Sequence, residues 1–493
     1  MLTLADLFES LTSTRPERAQ RIAIPQVVID SRQVQAGSLF VALKGEARDG
    51  HEFIQDALER GAAVVIAEVR AQGRGLGPNV HLIDIISPSV AGLQPSPQPL
   101  VPIVFIVPSS LRALQRLAAF WRRKFPKCQA IGVTGSVGKS STKELIAAVL
   151  QRRFNTLKSE ANLNNEIGLP LTVLRLNETH QRAVLEMGMY ALGEIRTLCE
   201  IAQPRIGVVT NVGPVHLERL GTIERIAQAK SELVEALPAD GVAILNGDDP
   251  RVIAMKGKAR AHIFCYGLDP RCDLWADEIE SFGLEGIAFV LHRDKEHLHV
   301  RLPLLGRHSV HTALAAASVG LAEGLSWDEI LRGLKDVSAQ LRLIAVPAEK
   351  GATILDDTYN ASPASSLAAL NLLAELSGRK VAVLGDMFEL GEYEEKGHQV
   401  VGGRAAQVVD VLIAVGARGK WIGEAARDAG LSAKNIFFAD SNAQAIEILR
   451  QVIRTGDVIL VKGSRGAKME EIVNAVARLN GNGATEANGW RGP

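Results

Sequence analysis

The side chains with the most readable chemistry lie in Ala-Ile-Gly-Val-Thr-Gly-Ser-Val-Gly-Lys-Ser-Ser-Thr-Lys-Glu, residues 130–144. An apolar run, Ala130 to Val133, meets a glycine-rich turn that ends in Gly138-Lys139-Ser140 and opens a helix. In such a turn Gly135 and Gly138 let the backbone N–H groups of Thr134, Gly135, Ser136, Val137, Gly138, Lys139, Ser140 and Ser141 curl round an anion, aided by the positive helix end. Lys139 can reach β- and γ-phosphates, and the Ser140 hydroxyl can ligate Mg²⁺. Val133 stands where the GxxxxGK[ST] pattern has its first glycine, which leaves a shortened TGxxGK[ST] form. An ordinary strand–helix turn with a surface lysine is the simpler alternative; the strand before and the amphipathic helix after favour a phosphate loop.

Further polar groups follow apolar runs. Glu186 follows Ala183-Val184-Leu185, where a Mg²⁺ beside a phosphate loop needs a second protein ligand. His216, in Asn211-Val212-Gly213-Pro214-Val215-His216-Leu217, can ligate a second metal or position a substrate oxygen. Lys230, on a helix beginning near Thr222, reads from composition alone as a solvated lysine. Asn162, Asn164, Asn165 and Glu166 form a polar knot with no packing role legible in the sequence. Downstream, Asp356-Asp357-Thr358-Tyr359-Asn360-Ala361-Ser362-Pro363 and Leu384-Gly385-Asp386-Met387-Phe388-Glu389-Leu390-Gly391 each read as strand end, turn and helix start. Lys462-Gly463-Ser464-Arg465-Gly466 is a basic glycine turn that suits phosphate or carboxylate.

The elements that must hold these groups fall into three regions. Residues 1–126 carry short strands at Val27–Ile29, Leu39–Ala42 and Ala63–Ala67 and a helix at Leu111–Lys124; Gln72–Pro102, rich in Gly and Pro, reads as a variable surface loop. Residues 127–338 alternate strand and helix, with strands at Ala130–Val133, Ala183–Leu185, Ile206–Thr210 and Val242–Leu245, which predicts a parallel-sheet domain on the phosphate loop. Residues 339–480 repeat the alternation from near Gln340, with strands at Thr353–Leu355, Lys380–Leu384, Val411–Val415, Asn435–Phe438 and Val458–Val461. Residues 481–493 are expected to be a disordered tail. The fold class is therefore α/β in three domains: a small N-terminal one, a central P-loop parallel-sheet domain and a Rossmann-like C-terminal one. Nearly every strand of the last two regions ends in a polar residue: Thr134, Glu186, Thr210-Asn211, Asp356-Asp357, Asp386, Lys462. Open parallel sheets bind ligands at their carboxyl edges, so a site between two such domains, closed by hinge motion, is expected.

Composition narrows the classes. In 493 residues Lys+Arg and Asp+Glu balance at 55 each, which gives no general electrostatic case for nucleic acid or an anionic membrane. Arg122-Arg123-Lys124, beside Trp121, reads most simply as a solvated basic face. Cys128, Cys199, Cys265 and Cys272 lack CxxC spacing and fit reduced thiols better than a disulfide or zinc framework. Asp6 and Glu9 occupy the place of a signal-peptide core, and the most apolar stretch, Pro99–Pro108, is half a membrane span. A cytoplasmic monomer without membrane insertion is expected.

With these residues in view, the chain resembles the Mur ligases, ATP-dependent amide-forming enzymes of peptidoglycan precursor assembly. The resemblance runs through Asp30-Ser31-Arg32, Phe40–Gly45, Asp49-Gly50-His51, Thr134–Glu144, Asn164–Pro170, Glu186-Met187-Gly188, Thr210–Leu217, Ala229-Lys230, Gly306-Arg307-His308, Asp356–Pro363, Leu384–Gly391 and Val461–Arg465. Asp-Asp-x-Tyr-Asn-Ala-x-Pro and Leu-Gly-Asp-Met-x-Glu-Leu-Gly are the strings most diagnostic of the member that adds D-alanyl-D-alanine to UDP-N-acetylmuramoyl-tripeptide. The Asp-Asn-Pro-Arg string typical of the member adding the third amino acid has no counterpart at Phe437–Asn442, and a folate-glutamate ligase would lack the Asp30–Arg32 region. A non-catalytic P-loop switch would explain Thr134–Ser141 but leave the downstream strings without a role.

The resemblance implies roles. Ser31 and Arg32 help hold the UDP portion; Asn164 and Asn165 are further substrate-binding candidates. Lys139 and Ser140 bind ATP phosphates and Mg²⁺, Glu186 meets the metal, and His216 belongs to a second metal site. Lys230 matches the lysine that several members carbamylate. Arg342, Asp356 and Asn360 approach the nucleotide from the C-terminal domain, which receives the dipeptide. The implied catalytic set is Lys139, Glu186, His216, Lys230 and Arg342, with ATP and Mg²⁺ as cofactors. Two departures stand out: Ser309 and Thr312 replace the usual Asn, and Ser140 replaces the commoner Thr.

Overall fold

Runs rich in Val, Ile, Leu and Ala become buried strands, and the polar residues that end them become loop starts, in three separate sheets along the chain. The computed structural model describes residues 1–45, 48–69, 80–86, 101–336 and 343–477. The expectations for Arg342 and for a tail at 481–493 lie outside the described residues.

The first sheet has five parallel strands in the spatial order Val27–Val28, Leu39–Val41, Val64–Glu68, Ile103–Val107, His81–Asp84. The apolar stretch between Pro99 and Pro108 is thus an internal strand, buried at every position from Ile103 to Val107. His81–Asp84 corrects the reading of Gln72–Pro102 as loop throughout: Gly and Pro on both sides masked a four-residue strand. Residues 70–79 and 87–100 of that neighbourhood lie outside the described residues.

Helix Ser110–Arg123 is capped by the Ser109 hydroxyl and joins the first sheet to the central domain. Here Arg122 departs from the solvated face expected of it. It is 5% exposed, and its guanidinium donates to the carbonyls of Ala202, Phe125 and Cys128 at 2.7–2.8 Å. Burial lowers its pKa. A basic triplet reads as surface in the sequence, but two carbonyls just past the helix end and a third from Ala202 supply a guanidinium's fork with partners.

The central sheet has nine strands, ordered Glu296–Leu302, Ile287–Arg293, Leu274–Ser281, His262–Gly267, Val242–Asn246, Pro204–Val209, Gln129–Thr134, Arg182–Glu186, Thr156–Lys158. Strands from Leu274–Ser281 onward in that order are parallel; the two at the other edge form antiparallel hairpins. Alternate residues of one strand feed different layers. Ala130 packs with helices Glu194–Ala202 and Ile223–Ala236, whereas Ile131 and Val133 pack with Lys139–Leu150, Ser309–Ala322 and Trp327–Leu334.

Cys265 and Cys272 are joined as a disulfide, which corrects the expectation of four reduced thiols; Cys128 and Cys199 are free and buried. Tyr266 pairs with Leu274 and Gly267 with Trp275, so the short connection between these strands brings the two cysteines together. No local motif announces such a pairing.

The third sheet runs Ile344–Pro347, Thr353–Asp357, Val458–Lys462, Lys380–Gly385, Val411–Val415, Ile436–Ala439, with only the first strand antiparallel. Helices Pro363–Glu375, Glu394–Val408 and Gly419–Asp428 cover one face, Asn442–Val452 and Glu470–Val476 the other. No helix among the described residues is long and apolar enough to cross a membrane.

Candidate active site

Strand Gln129–Thr134 lies between Pro204–Val209 and Arg182–Glu186, so Thr134, Thr210 and Glu186 emerge side by side at one carboxyl edge. The turn after Thr134 is braced by its neighbours. Thr210 Oγ1 and Asn211 Nδ2 each donate to the Val137 carbonyl at 2.8 Å, and the Val137 N–H donates to Asn211 Oδ1 at 2.9 Å. Ser136 Oγ exchanges bonds with Gly213, and Thr134 Oγ1 donates to the Met187 carbonyl. Gly135 has φ +151, and a Cβ there would lie 1.9 Å from Thr210 Oγ1, so only glycine lets the strands approach this closely. Gly138, at φ +82, leads into helix Lys139–Leu150, which carries Ser140 and Ser141 in its first turn. The Lys139 ammonium lies over the loop, donating to the carbonyls of Gly135 and Ser136 at 2.9 and 3.3 Å. A ring of backbone N–H groups at a helix N-terminus with a lysine above it suits a polyphosphate.

Beside the loop, Ser140 Oγ donates to Glu186 Oε2 at 2.5 Å, and Asn164 Nδ2 donates to Glu186 Oε1 at 2.8 Å. Glu186 is fully buried, and its N–H donates to Ser159 Oγ. Lys143, 1% exposed, donates to the Ser159 carbonyl at 2.7 Å, pairs with Glu144 at 2.9 Å and stands 4.0 Å from Glu186. Lys143 was legible only as part of the loop string. Its place four residues after Lys139 puts it one turn on along the same helix face. Among the described residues no group of three or more His, Cys, Asp or Glu could hold a metal. One hydroxyl and one carboxylate form the oxygen pair expected for Mg²⁺, which keeps waters and takes its remaining ligands from phosphate.

Lys230 is 2% exposed on helix Ile223–Ala236, whose N-cap is Thr222, so the solvated reading is wrong for this position. Burial drives its pKa well below the ordinary lysine value, and the Lys139 charge pushes the same way. Asn165 Oδ1 accepts the N–H groups of Ile167 and Gly168, which fixes the start of helix Gly168–Val173. The polar knot therefore has structural partners: Asn164 on Glu186, Asn165 on a helix end.

In the third sheet, Thr353–Asp357, Val458–Lys462 and Lys380–Gly385 are adjacent, so Asp356-Asp357, Lys462 and Asp386 gather at one edge. Lys462, 2% exposed, donates to Asp357 Oδ2 at 2.6 Å and to the Asn360 carbonyl at 2.8 Å. Asp356 accepts from the Thr358 N–H and hydroxyl; burial nevertheless leaves its pKa raised, and the charge of Asp357 adds to this. Asn360 Oδ1 accepts the Ala361 N–H. Asp386 Oδ1 accepts the N–H groups of Arg418 and Gly419 at a helix start. Ser464 ties the Phe388 N–H to the same edge.

The second and third sheets meet at His216. Its Nδ1 lies 2.6 Å from Glu389 Oε2, a residue whose string was singled out but whose own role was not. That hydrogen bond is the main cause of a lowered Glu389 pKa. In the first domain, Asp30 caps the turn Ser31–Gln33 and pairs with Arg32, whose side chain is 62% exposed, while Ser31 is buried. Ser309 Oγ donates to the Leu305 carbonyl where helix Ser309–Ala322 begins.

Three family models match in sequence: "Mur ligase family, catalytic domain" over residues 23–122, "Mur ligase middle domain" over 133–320, and "Mur ligase, glutamate ligase domain" over 341–465. The chain is 35% identical over 466 residues to a UDP-N-acetylmuramoyl-tripeptide–D-alanyl-D-alanine ligase of Bacillus subtilis, covering 94% of this chain and 95% of the relative. The chain belongs to the Mur ligase family. Among solved Mur ligase structures, MurF of Acinetobacter baumannii superposes with a TM-score of 0.79 at 30% identity, covering 96% of this chain and 98% of that one. MurF ligase of Thermotoga maritima, solved in complex with ADP, gives 0.74 at 28% identity over 91% and 96%. This Mur ligase fold thus carries the α/β architecture in three domains that the sequence implied.

Proposed function

We propose that this chain is the ATP-dependent ligase that joins D-alanyl-D-alanine to UDP-N-acetylmuramoyl-tripeptide in peptidoglycan precursor synthesis. The observation that carries the reading is the buried Ser140–Glu186 pair beside the Lys139 loop, in a chain whose third sheet gathers Asp356, Asp357, Lys462 and Asp386 at one edge. The relatives matched over nearly the full length bear that enzyme's name. We place the functional boundaries near 126 and 338.

In the reaction, a terminal carboxylate oxygen of the tripeptide attacks the γ-phosphorus of ATP, giving an acyl phosphate and ADP. The dipeptide amine then attacks the acyl carbon, inorganic phosphate leaves, and the nitrogen loses its proton as the amide forms. The loop N–H groups and Lys139 hold the β- and γ-phosphates and stabilise charge on the group in transfer. Ser140 and Glu186 are the residues that would hold Mg²⁺, which when bound neutralises phosphate charge. Lys143 and Asn164 keep the Glu186 carboxylate in place. Burial lowers the Lys230 pKa and so favours the unprotonated amine, the form that adds CO₂; a carbamate there would set a negative charge beside Lys139. Asp356 and Asn360 meet the nucleotide from the third sheet, and Ser31 and Arg32 take the UDP end. All of these residues belong to one copy of the chain, so a monomer suffices, and ATP supply puts the work in the cytoplasm.

The test is ADP release from purified protein given ATP and Mg²⁺ with each co-substrate alone and with both. Release that needs both the UDP-tripeptide and D-alanyl-D-alanine supports the ligase. Release indifferent to both would identify a P-loop ATPase or switch instead.

A further inference from the structure

The His216–Glu389 contact joins two domains through two residues that both have backbones in the left-handed region, at φ +56 and φ +64. Non-glycine residues hold that conformation only where their surroundings require it. Two residues on, Gly391 at φ +55 presses its backbone against the central domain: a Cβ there would stand 2.9 Å from the Glu218 nitrogen and 3.0 Å from its Cα. The imidazole is also fixed from the side by the Tyr190 ring, edge-on with centroids 5.0 Å apart, and Arg219 lies over that ring. An ionised carboxylate only accepts hydrogen bonds, so the His216 nitrogen facing Glu389 is the one that carries a proton.

We propose that Glu389 is the positioning residue for His216, delivered by the C-terminal domain when it closes. The turn 389–391 docks backbone to backbone, its carboxylate fixes the Nδ1–H tautomer, and His216 is left with Nε2 as the nitrogen it can offer to a metal or a substrate oxygen. Without that carboxylate the ring is free to exchange tautomers, which ties the readiness of His216 to the docked turn. This deepens the ligase reading and rests on it for the role of His216, but not for the tautomer.

The experiment uses the full-length chain labelled with ¹⁵N-histidine, with H216Q to assign the His216 ring signals. Wild type should show the Nδ1–H tautomer. Glu389→Ala should shift the ring toward exchange or Nε2–H and lower kcat roughly 10–100-fold, with KM for the UDP-substrate unchanged. Gly391→Ala, which keeps the carboxylate but lifts the turn, should give the same ring shift. Glu389→Gln, whose amide oxygen still accepts, should keep the tautomer and most of the turnover. An unchanged His216 spectrum in Glu389→Ala, or a Gln variant as altered as the Ala one, would overturn the proposal. Absence of ligase turnover in wild type would instead defeat the functional reading, with the ring signals still deciding the positioning role.

Discussion

At the level of single residues, the site rests on groups whose protonation is set by where the fold puts them. Lys139 donates to the carbonyls of Gly135 and Ser136 in its own loop; Lys139→Ala is expected to act on catalysis. It should lower ADP formation about 10²–10³-fold, as expected when one donor to the transferring phosphoryl is removed. Lys230 supplies a pH prediction. Its folded pKa lies well below the ordinary 10.5, so between those two values the unfolded chain holds one more proton than the folded chain. Stability therefore rises with pH through that window and falls as Lys230 is protonated. Lys230→Met should remove this rise, read as urea midpoints over a pH series that ends below 10.5. A Met variant with the wild-type slope would mean that Lys230 is charged in the folded chain.

Elements carry the groups, and here sequence and structure can be weighed. The strands at 130–133, 183–185 and 411–415 were legible because β-branched runs end in a polar residue or a turn, and the structure extends the first two by no more than one residue at each end. The shared carboxyl edge of Thr134, Glu186 and Thr210 was legible for the same reason. The burial of Arg122 was not, because one of its three acceptors, the Ala202 carbonyl, lies 80 residues away, and that of Lys230 was not, because the packing of helix Ile223–Ala236 decides it. Nor was the Glu389 contact with His216, since it exists only when two domains meet. Arg122 offers the test at this scale. Arg122→Met takes a donor from three carbonyls; Phe125 keeps the Cys128 N–H, and the Ala202 and Cys128 carbonyls lose theirs at a cost of roughly 1–3 kcal/mol for each that stays buried. The full chain should lose at least about 2 kcal/mol in urea unfolding. A loss under about 0.5 kcal/mol would restore the solvated reading.

For the whole molecule, three sheets each contribute one side of the chemistry. The first carries Ser31 and Arg32, proposed above for the UDP end, the second the phosphate loop, the third a mixed acidic and basic edge. An acyl phosphate exposed to water would be hydrolysed, so the domains must close over it before the amine attacks. The decisive step is the transfer of the γ-phosphoryl to the tripeptide carboxylate itself. Tripeptide substrate with both terminal carboxylate oxygens replaced by ¹⁸O reports on it through mass analysis of the phosphate released during amide formation. One ¹⁸O is expected in each phosphate per amide formed; unlabelled phosphate would rule out the acyl-phosphate route.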